Sequence, residues 1–290
     1  MVMNHNLTAI KIIESLLPTI KLAGAYACQI QSQVQAQPEK IEYGENFYAT
    51  ALTDADLTIQ TAIELAILAQ FPEVNFFGEE HEKSHNTKYF KSISFGSEND
   101  FLITLDPIDG TRAYLDGLPC FSIVLTIIKN RQYEAVFVLQ PSRKHYFYAL
   151  RKKGAFIADL DTNLSLAQPL KLSELNSNQL YLSFAFKDKK TLFEPTFSTW
   201  CSATDYSSDQ IFPDYLDFIQ GNLAGFVIAQ GNLIDSAGFA FIAKEAGAIV
   251  THFDGNNFQP FQEVKNMRID GLIIAPNAEI HQQILSKLPN

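Results

Sequence analysis

The chain is short of cysteine, of basic residues and of long apolar runs, and each shortage closes off a class of protein. Its three cysteines, Cys28, Cys120 and Cys201, are odd in number and far apart. That suits neither a disulfide framework nor a zinc ribbon, and the usage implies small buried hydrophobes. With 22 Lys and Arg against 32 Asp and Glu, the net charge is −10. A surface so acidic has no broad electrostatic grip on a nucleic acid polymer or an anionic membrane. A phosphate ligand is not excluded, because bound metal ions invert the local field. The longest apolar runs, such as residues 121–128, are far too short for a bilayer span. The opening Met1-Val2-Met3-Asn4-His5-Asn6 lacks the basic-then-apolar layout of a secretory leader. The expectation is therefore a protein of the reducing cytoplasm. No internal repeat or low-complexity linker divides the sequence.

What is present is an ordinary globular composition, 47% hydrophobic and 19% charged over 290 residues, enough for a substantial core. Residues 7–36 carry apolar positions at helical spacing, with a break or kink expected at Pro18. Thr53 and Asp54 open a second helix that gives out near Phe71-Pro72. Thr53 and Asp56 are spaced as a capping box, with Asp in place of the usual Glu or Gln. Residues 81–100 are polar and aperiodic, as in an exposed loop. Strands are expected at 101–105, 121–128, 133–139 and 145–150, with a turn and strand at 154–156. A second block begins at Leu180, with a helix around 207–220, a strand at 225–229, a helix from Asp235 to Gly247, a strand at 271–275 and a helix at 278–288.

The most informative stretch is Asp106-Pro107-Ile108-Asp109-Gly110-Thr111, which follows the apolar run Phe101 to Leu105. Two carboxylates offer hard oxygen ligands of the kind Mg²⁺ prefers. Pro107 sets the turn, and Gly110, without a Cβ, lets backbone N–H groups approach an anion. Taken alone, these are ordinary turn residues. They gain meaning from other acids at element boundaries: Asp56, Glu79, Glu80 and Asp235. If those ends converge, the carboxylates raise one another's pKa and call for a cation. Asp235 alone would be no more than a helix N-cap, and Asp56 no more than a first-turn acid.

Gly78-Glu79-Glu80, the Asp106–Thr111 block, and Asp235-Ser236-Ala237-Gly238 through Glu245-Ala246-Gly247 resemble the three signature blocks of the inositol monophosphatase family, and Leu52–Asp56 is similar to its Val-Thr-x-x-Asp element. The resemblance implies an α/β (α+β) fold, a layered αβαβα sandwich forming one phosphatase unit over residues 1–290. Its N-terminal part, 1–175, would hold most ligands, and its C-terminal part, 176–290, would contribute Asp235. It implies a cytoplasmic, homodimeric, Mg²⁺-dependent phosphomonoesterase acting on a small phosphorylated substrate, with two to three ions. Glu79, Asp106 and the Ile108 carbonyl would bind one ion, and Asp106, Asp109 and Asp235 a second. Glu79 would also hold a looser third, with Glu80 behind the ligands. Thr111 and Asp56 would activate water, and Gly110 and Thr111 N–H groups would cradle phosphate.

Three positions depart from the family pattern. Ile234 replaces the Trp before the last metal Asp, Ile228 replaces a Glu seven residues before Asp235 in inositol-specific members, and Asn46 replaces a Lys. Either Ser202-Ala203 or Ser207-Ser208 occupies the place of the Gly-Ser-Ala segment. A phosphate ester is thus implied without inositol being specified; bisphosphate nucleotidase, histidinol phosphatase and fructose-1,6-bisphosphatase are the alternatives. A phospho-ligand-binding protein without turnover is the non-enzyme alternative. His81-Glu82-Lys83-Ser84-His85 matches the zincin pattern, but its polar surroundings do not supply the apolar-faced helix that motif needs.

Overall fold

The computed structural model describes residues 7–34, 53–80, 100–259 and 267–288. The polar stretch 81–99, with His81 and His85, lies outside them, as does Asn46. Helix α1, Ala9–Ile30, buries Ile12, Ile13, Leu16, Leu17, Ile20, Ala23 and Ala27 along one face. Pro18 does not break it. Pro18 and Glu14 both lie on the exposed face, where water can satisfy the carbonyl that loses its partner, while packing holds the buried face in register. The helix ends before residue 36, tightening into a 3₁₀ turn at Gln31–Gln33. Helix α2, Asp54–Gln70, starts where its capping box requires. The Thr53 hydroxyl accepts from the Ala55 N–H at 3.1 Å, and the Thr53 N–H donates to Asp56 Oδ2 at 2.9 Å.

Seven strands follow one another across the first sheet in chain order: β1 Asn75–Gly78, β2 Phe101–Asp109, β3 Ser122–Lys129, β4 Gln132–Gln140, β5 His145–Leu150, β6 Gly154–Asp159 and β7 Gln168–Leu170. β1 and β2 are parallel, and the remaining pairs are antiparallel. A five-residue helix, α3 (Thr111–Leu115), leaves the end of β2. The second sheet has five strands, β8 Gln179–Leu182, β9 Ser198–Cys201, β10 Gly225–Asn232, β11 Ile249–Thr251 and β12 Arg268–Ala275, in the order β11-β12-β10-β8-β9. Helices α4 (Tyr215–Ile219), α5 (Ser236–Glu245) and α6 (Ala278–Leu285) complete the α-helices among the described residues.

Three cores define the layers. Ile20 of α1 and Ile63 of α2 pack with Ile103 and Phe137 on one face of the first sheet. Val136 and Phe147 on its other face meet Phe239 of α5, Phe218 of α4, and Phe226 and Ile274 of the second sheet. Beyond that sheet, Leu180, Val227 and Ile273 pack on Ile284 of α6. The order is αβαβα, each sheet sandwiched because both of its faces are apolar.

The helix expected over 207–220 contracts to Tyr215–Ile219. Asp214 caps it and accepts from the Leu216 N–H at 2.9 Å, while Asp217 closes the box; Pro213 holds the residue before itself out of the helical region. Strands β7, β9 and β11 are three or four residues long, too short to show a period. Gly24 of α1 lies where a Cβ would come within 2.7 Å of Leu139 on β4 and 3.0 Å of Pro141. Gly24→Val is therefore expected to cost about 2 kcal/mol by overpacking. Urea unfolding measures this, and an undiminished midpoint would mean that α1 is not pressed against β4.

Candidate active site

In a regular strand Asp106 and Asp109, an odd number of residues apart, would point to opposite faces. They do not. Asp106 pairs with Val124 but Asp109 pairs with Ser122, so three steps along β2 match two along β3. The extra residue is a β-bulge at Pro107-Ile108, where a proline without an N–H is tolerated, and it turns both carboxylates the same way. Helix α5 supplies the third. Asp235 is its N-cap and accepts from the Ser236 N–H. Carboxylate oxygens of Asp106, Asp109 and Asp235 lie within 4.8 Å of one another. Glu79 lies outside that 4.8 Å group but near enough for its charge to act on all three, because β1 runs parallel beside β2, its N–H donating to the Leu105 carbonyl at 2.8 Å.

Electrostatics follow from this crowding. Burial, then the charges of Glu79, Asp109 and Asp235, hold the Asp106 carboxyl well above its ordinary range. Burial, then Asp235 and Glu79, do the same to Asp109. Asp235 is pushed up to about 6 by burial and Glu79, against the downward pull of the Ser236 N–H. The leading influences on Asp106 and Asp109 all act in one direction, as they do for carboxylates crowded together out of water.

Asp56 lies at the edge of this cluster and divides its two oxygens between two tasks. Oδ2 accepts from the backbone and hydroxyl of Thr53 at the start of α2. Oδ1 accepts from the Thr111 hydroxyl at 3.2 Å. That hydroxyl also approaches the Ile108 carbonyl, at 2.8 Å, so one proton is shared between two acceptors. Gly110, with φ of 91°, turns β2 into α3, and a Cβ there would lie 2.8 Å from the Cys120 carbonyl. The chain at Gly110-Thr111 thereby enters a helical turn beside Asp109.

Glu80 is buried, and its N–H donates to Gln60 Oε1 at 3.0 Å. Gln60, one turn beyond Asp56 on α2, lies across Gly78 so closely that a Cβ would come within 2.2 Å of it. Sequence reading missed Gln60, a polar residue on the apolar face of α2, and that mismatch was the available signal. It also missed Asp214, whose charge acts on Asp109 and which pairs with Arg143 at 2.8 Å. Of the two serine segments, Ser202 is buried and acts on the Tyr181 hydroxyl, whereas Ser207 bonds to Asp209. Ile228 and Ile234 are buried in the core between the sheets. Glu245 accepts from the N–H groups of Lys152 and Gly154 at 2.9 and 3.0 Å, which ties α5 to the β5–β6 turn.

The sequence pattern of the inositol monophosphatase family matches residues 13–290. The chain belongs to that family. A Haemophilus influenzae relative, Nus factor SuhB, is 26% identical over 255 residues, 86% of this chain and 85% of its own. A Thermotoga maritima fructose-1,6-bisphosphatase/inositol-1-monophosphatase is 27% identical over 236 residues, 81% of this chain and 80% of its own. A solved IMPase/NADP phosphatase, complexed with Mg²⁺ and phosphate, shares the fold with a TM-score of 0.69 at 18% identity, over 96% of this chain and 95% of that one.

Two outcomes are expected of this inositol monophosphatase-family site. A group whose pKa is higher in the folded than in the unfolded chain contributes stability below its unfolded value and loses it as pH rises through the folded one. For Asp235 that window runs from 3.8 to about 6. With divalent ions chelated, the unfolding midpoint should fall across it, and Asp235→Asn should flatten the fall; identical pH profiles would sink the claim. Gln60→Leu leaves the buried Glu80 N–H without its acceptor, costing roughly 1–3 kcal/mol. Calorimetry checks this, and an unchanged Tm would show that another acceptor replaces Gln60.

Proposed function

We propose that the chain is a Mg²⁺-dependent phosphatase of small phosphate monoesters, one catalytic unit built from both sheets. The supporting observation is the convergence of Asp106, Asp109 and Asp235 within 4.8 Å, beside the Thr111–Asp56 hydrogen bond. Crowded carboxylates whose pKa values are raised by burial and by neighbouring charge are destabilising alone and suit a hard divalent cation. Glu79, Asp106 and the Ile108 carbonyl would hold one ion, and Asp106, Asp109 and Asp235 another. When bound, Mg²⁺ supplies Lewis acidity, lowering the pKa of water and neutralising charge on the phosphoryl and leaving oxygens.

The chain's own groups manage the proton. The attacking water donates to Thr111 Oγ1, whose own proton passes to Asp56 Oδ1, and the water oxygen adds to phosphorus in line with the departing alkoxide. The departing alkoxide takes a proton from solvent water and Asp56 returns its own to solvent, so the products are inorganic phosphate and the alcohol. A Thr hydroxyl alone is too weak a base, so Asp56 is the proton sink. Thr53 fixes the carboxylate's orientation by holding its other oxygen. Ile108 competes for the Thr111 proton, and its carbonyl accepting a cation would release the hydroxyl toward Asp56. Gly110 and Thr111 N–H groups would receive the phosphate oxygens, as helical first turns do.

The relative named Nus factor SuhB supports a second reading, a role as a Nus factor that needs no turnover. Retention of the whole carboxylate set with its Thr-Asp pair favours the enzyme. Phosphate release from inositol 1-phosphate, fructose 1,6-bisphosphate, histidinol phosphate and a nucleoside 3′,5′-bisphosphate tests the two. At least one ester should be hydrolysed with Mg²⁺ and none with excess chelator. Asp109→Asn should lower turnover roughly a thousandfold by removing charge at the reacting phosphate. Asp56→Asn should lower it about a hundredfold or more as a lost general base while the protein stays folded. No release from any ester by the wild type would leave the Nus-factor reading.

A further inference from the structure

Tyr133 breaks the alternation of its strand. On β4, Ala135, Phe137 and Leu139 belong to the core under α1 and α2, and Val136 and Val138 to the core between the sheets. Residues two apart on a strand share a face, so Tyr133 should join Ala135. It lies instead in the core between the sheets. Ile127 pairs with Ala135 but Ile128 pairs with Tyr133, which leaves Glu134 as the extra residue of another β-bulge. The bulge sends a buried phenol toward the segment that leads into α5. Its hydroxyl donates to the carbonyl of Leu233, 100 residues away. Its ring packs at 5.5 Å on Phe241 of α5. The two contacts fall on either side of Asp235, and the Asp235 charge reaches the phenol.

Asp235 is held less firmly by its own helix than a capping residue usually is. Its backbone is helical, with φ −84° and ψ −74°, where an ordinary N-cap is extended. Its carboxylate accepts from the N–H of Ser236, the very next residue, and not from the second or third N–H of the helix as caps usually do. The chain leading into Asp235 therefore sets where the carboxylate lies. The Leu233 N–H donates to the Met267 carbonyl at 2.9 Å, and the Ile234 N–H to Asn232 Oδ1 at 2.9 Å. Tyr133 takes the Leu233 carbonyl. A phenylalanine ring would fill the same space, so the hydroxyl contributes aim and not volume. We infer that Tyr133 is a positioning residue for the metal site, its hydroxyl fixing the Leu233 peptide so that the Asp235 carboxylate stays beside Asp106 and Asp109. The inference rests on the metal-dependent phosphatase reading and adds a residue to it.

Tyr133→Phe removes one oxygen and keeps the ring. Tyr146→Phe is the matched control: its phenol, on the neighbouring strand β5, donates to the Thr162 carbonyl at 2.9 Å, and its ring belongs to the core under α1 and α2. Mg²⁺ titration by calorimetry should show Tyr133→Phe binding about tenfold more weakly, the scale of removing a group that orients a metal ligand. Tyr146→Phe should bind as the wild type does. Hydrogen exchange on the chelated proteins gives a reading that needs no metal. The N–H groups of Leu233, Ile234 and Ser236 should exchange several-fold faster in Tyr133→Phe and not in Tyr146→Phe. Unchanged Mg²⁺ affinity in Tyr133→Phe, an equal loss in both variants, or wild-type exchange across 233–236 overturns the inference. If the wild type takes up no Mg²⁺, the metal-dependent reading fails by itself, and exchange still decides whether Tyr133 holds the segment before Asp235.

Discussion

The crowding of three carboxylates, Asp106 buried and Asp109 and Asp235 half-buried, is the constraint that organises this molecule. Asp106, Asp109 and Asp235 come within 4.8 Å, with Glu79 acting on all three. Such a group is costly, because it is withdrawn from water and its charges repel one another, until a cation neutralises it. The scaffold supplies the holding. A bulge aims two acids, a helix N-cap aims the third, and a parallel strand end delivers Glu79. None of these devices is loose. The bulge is locked on one side by the β3 ladder, and α5 is pressed between the two sheets by Phe239, Ile242 and Ala243.

Helix α2 links folding to chemistry more directly than any other element. Its capping residue and its first-turn acid form one hydrogen-bonded unit, Thr53 with Asp56. The same acid meets Thr111 at the end of β2, and Gln60, a turn later, meets Glu80 at the end of β1. One rigid helix therefore references two strand ends to each other. Capping and the proposed role as base do not compete for Asp56, because a carboxylate has two oxygens: Oδ2 accepts from Thr53 and Oδ1 from Thr111. The cores that carry α2, built on Ile59, Ile63 and Ile67, thereby fix atoms that no apolar residue touches.

Much of this was legible in the residues themselves. The capping box at Thr53, the termination near Phe71, the helix that begins after Asp235 and the strand cores at 101–105, 121–128, 133–139 and 145–150 all rest on short-range rules, and the chain obeys them. The failures have local causes too. Pro18 lies on a solvated face of a helix held by packing, so its penalty is small enough for the helix to continue. The segment at 207–220 was too generous because Asp214 and Asp217 cap late, and β7, β9 and β11 are shorter than any detectable period. Gln60 looked like an ordinary polar residue, since its partner lies on another element.

By itself, the sequence determined which residues could bear charge at element ends, where α2 and α5 begin, and that a proline sits between the two acids of β2. Local sterics and capping decide such features within a few residues. Only the tertiary structure decided that these ends meet. Asp235 joins Asp106 and Asp109 because α5 packs between two sheets whose strand order, β11-β12-β10-β8-β9 in the second, is set by long-range burial. The ring contacts of Tyr181 with Trp200, Trp200 with Phe212 and Phe212 with Tyr206 likewise exist only once β8, β9 and the chain before α4 are brought together. Convergence is a property of packing, and no spacing along the chain encodes it.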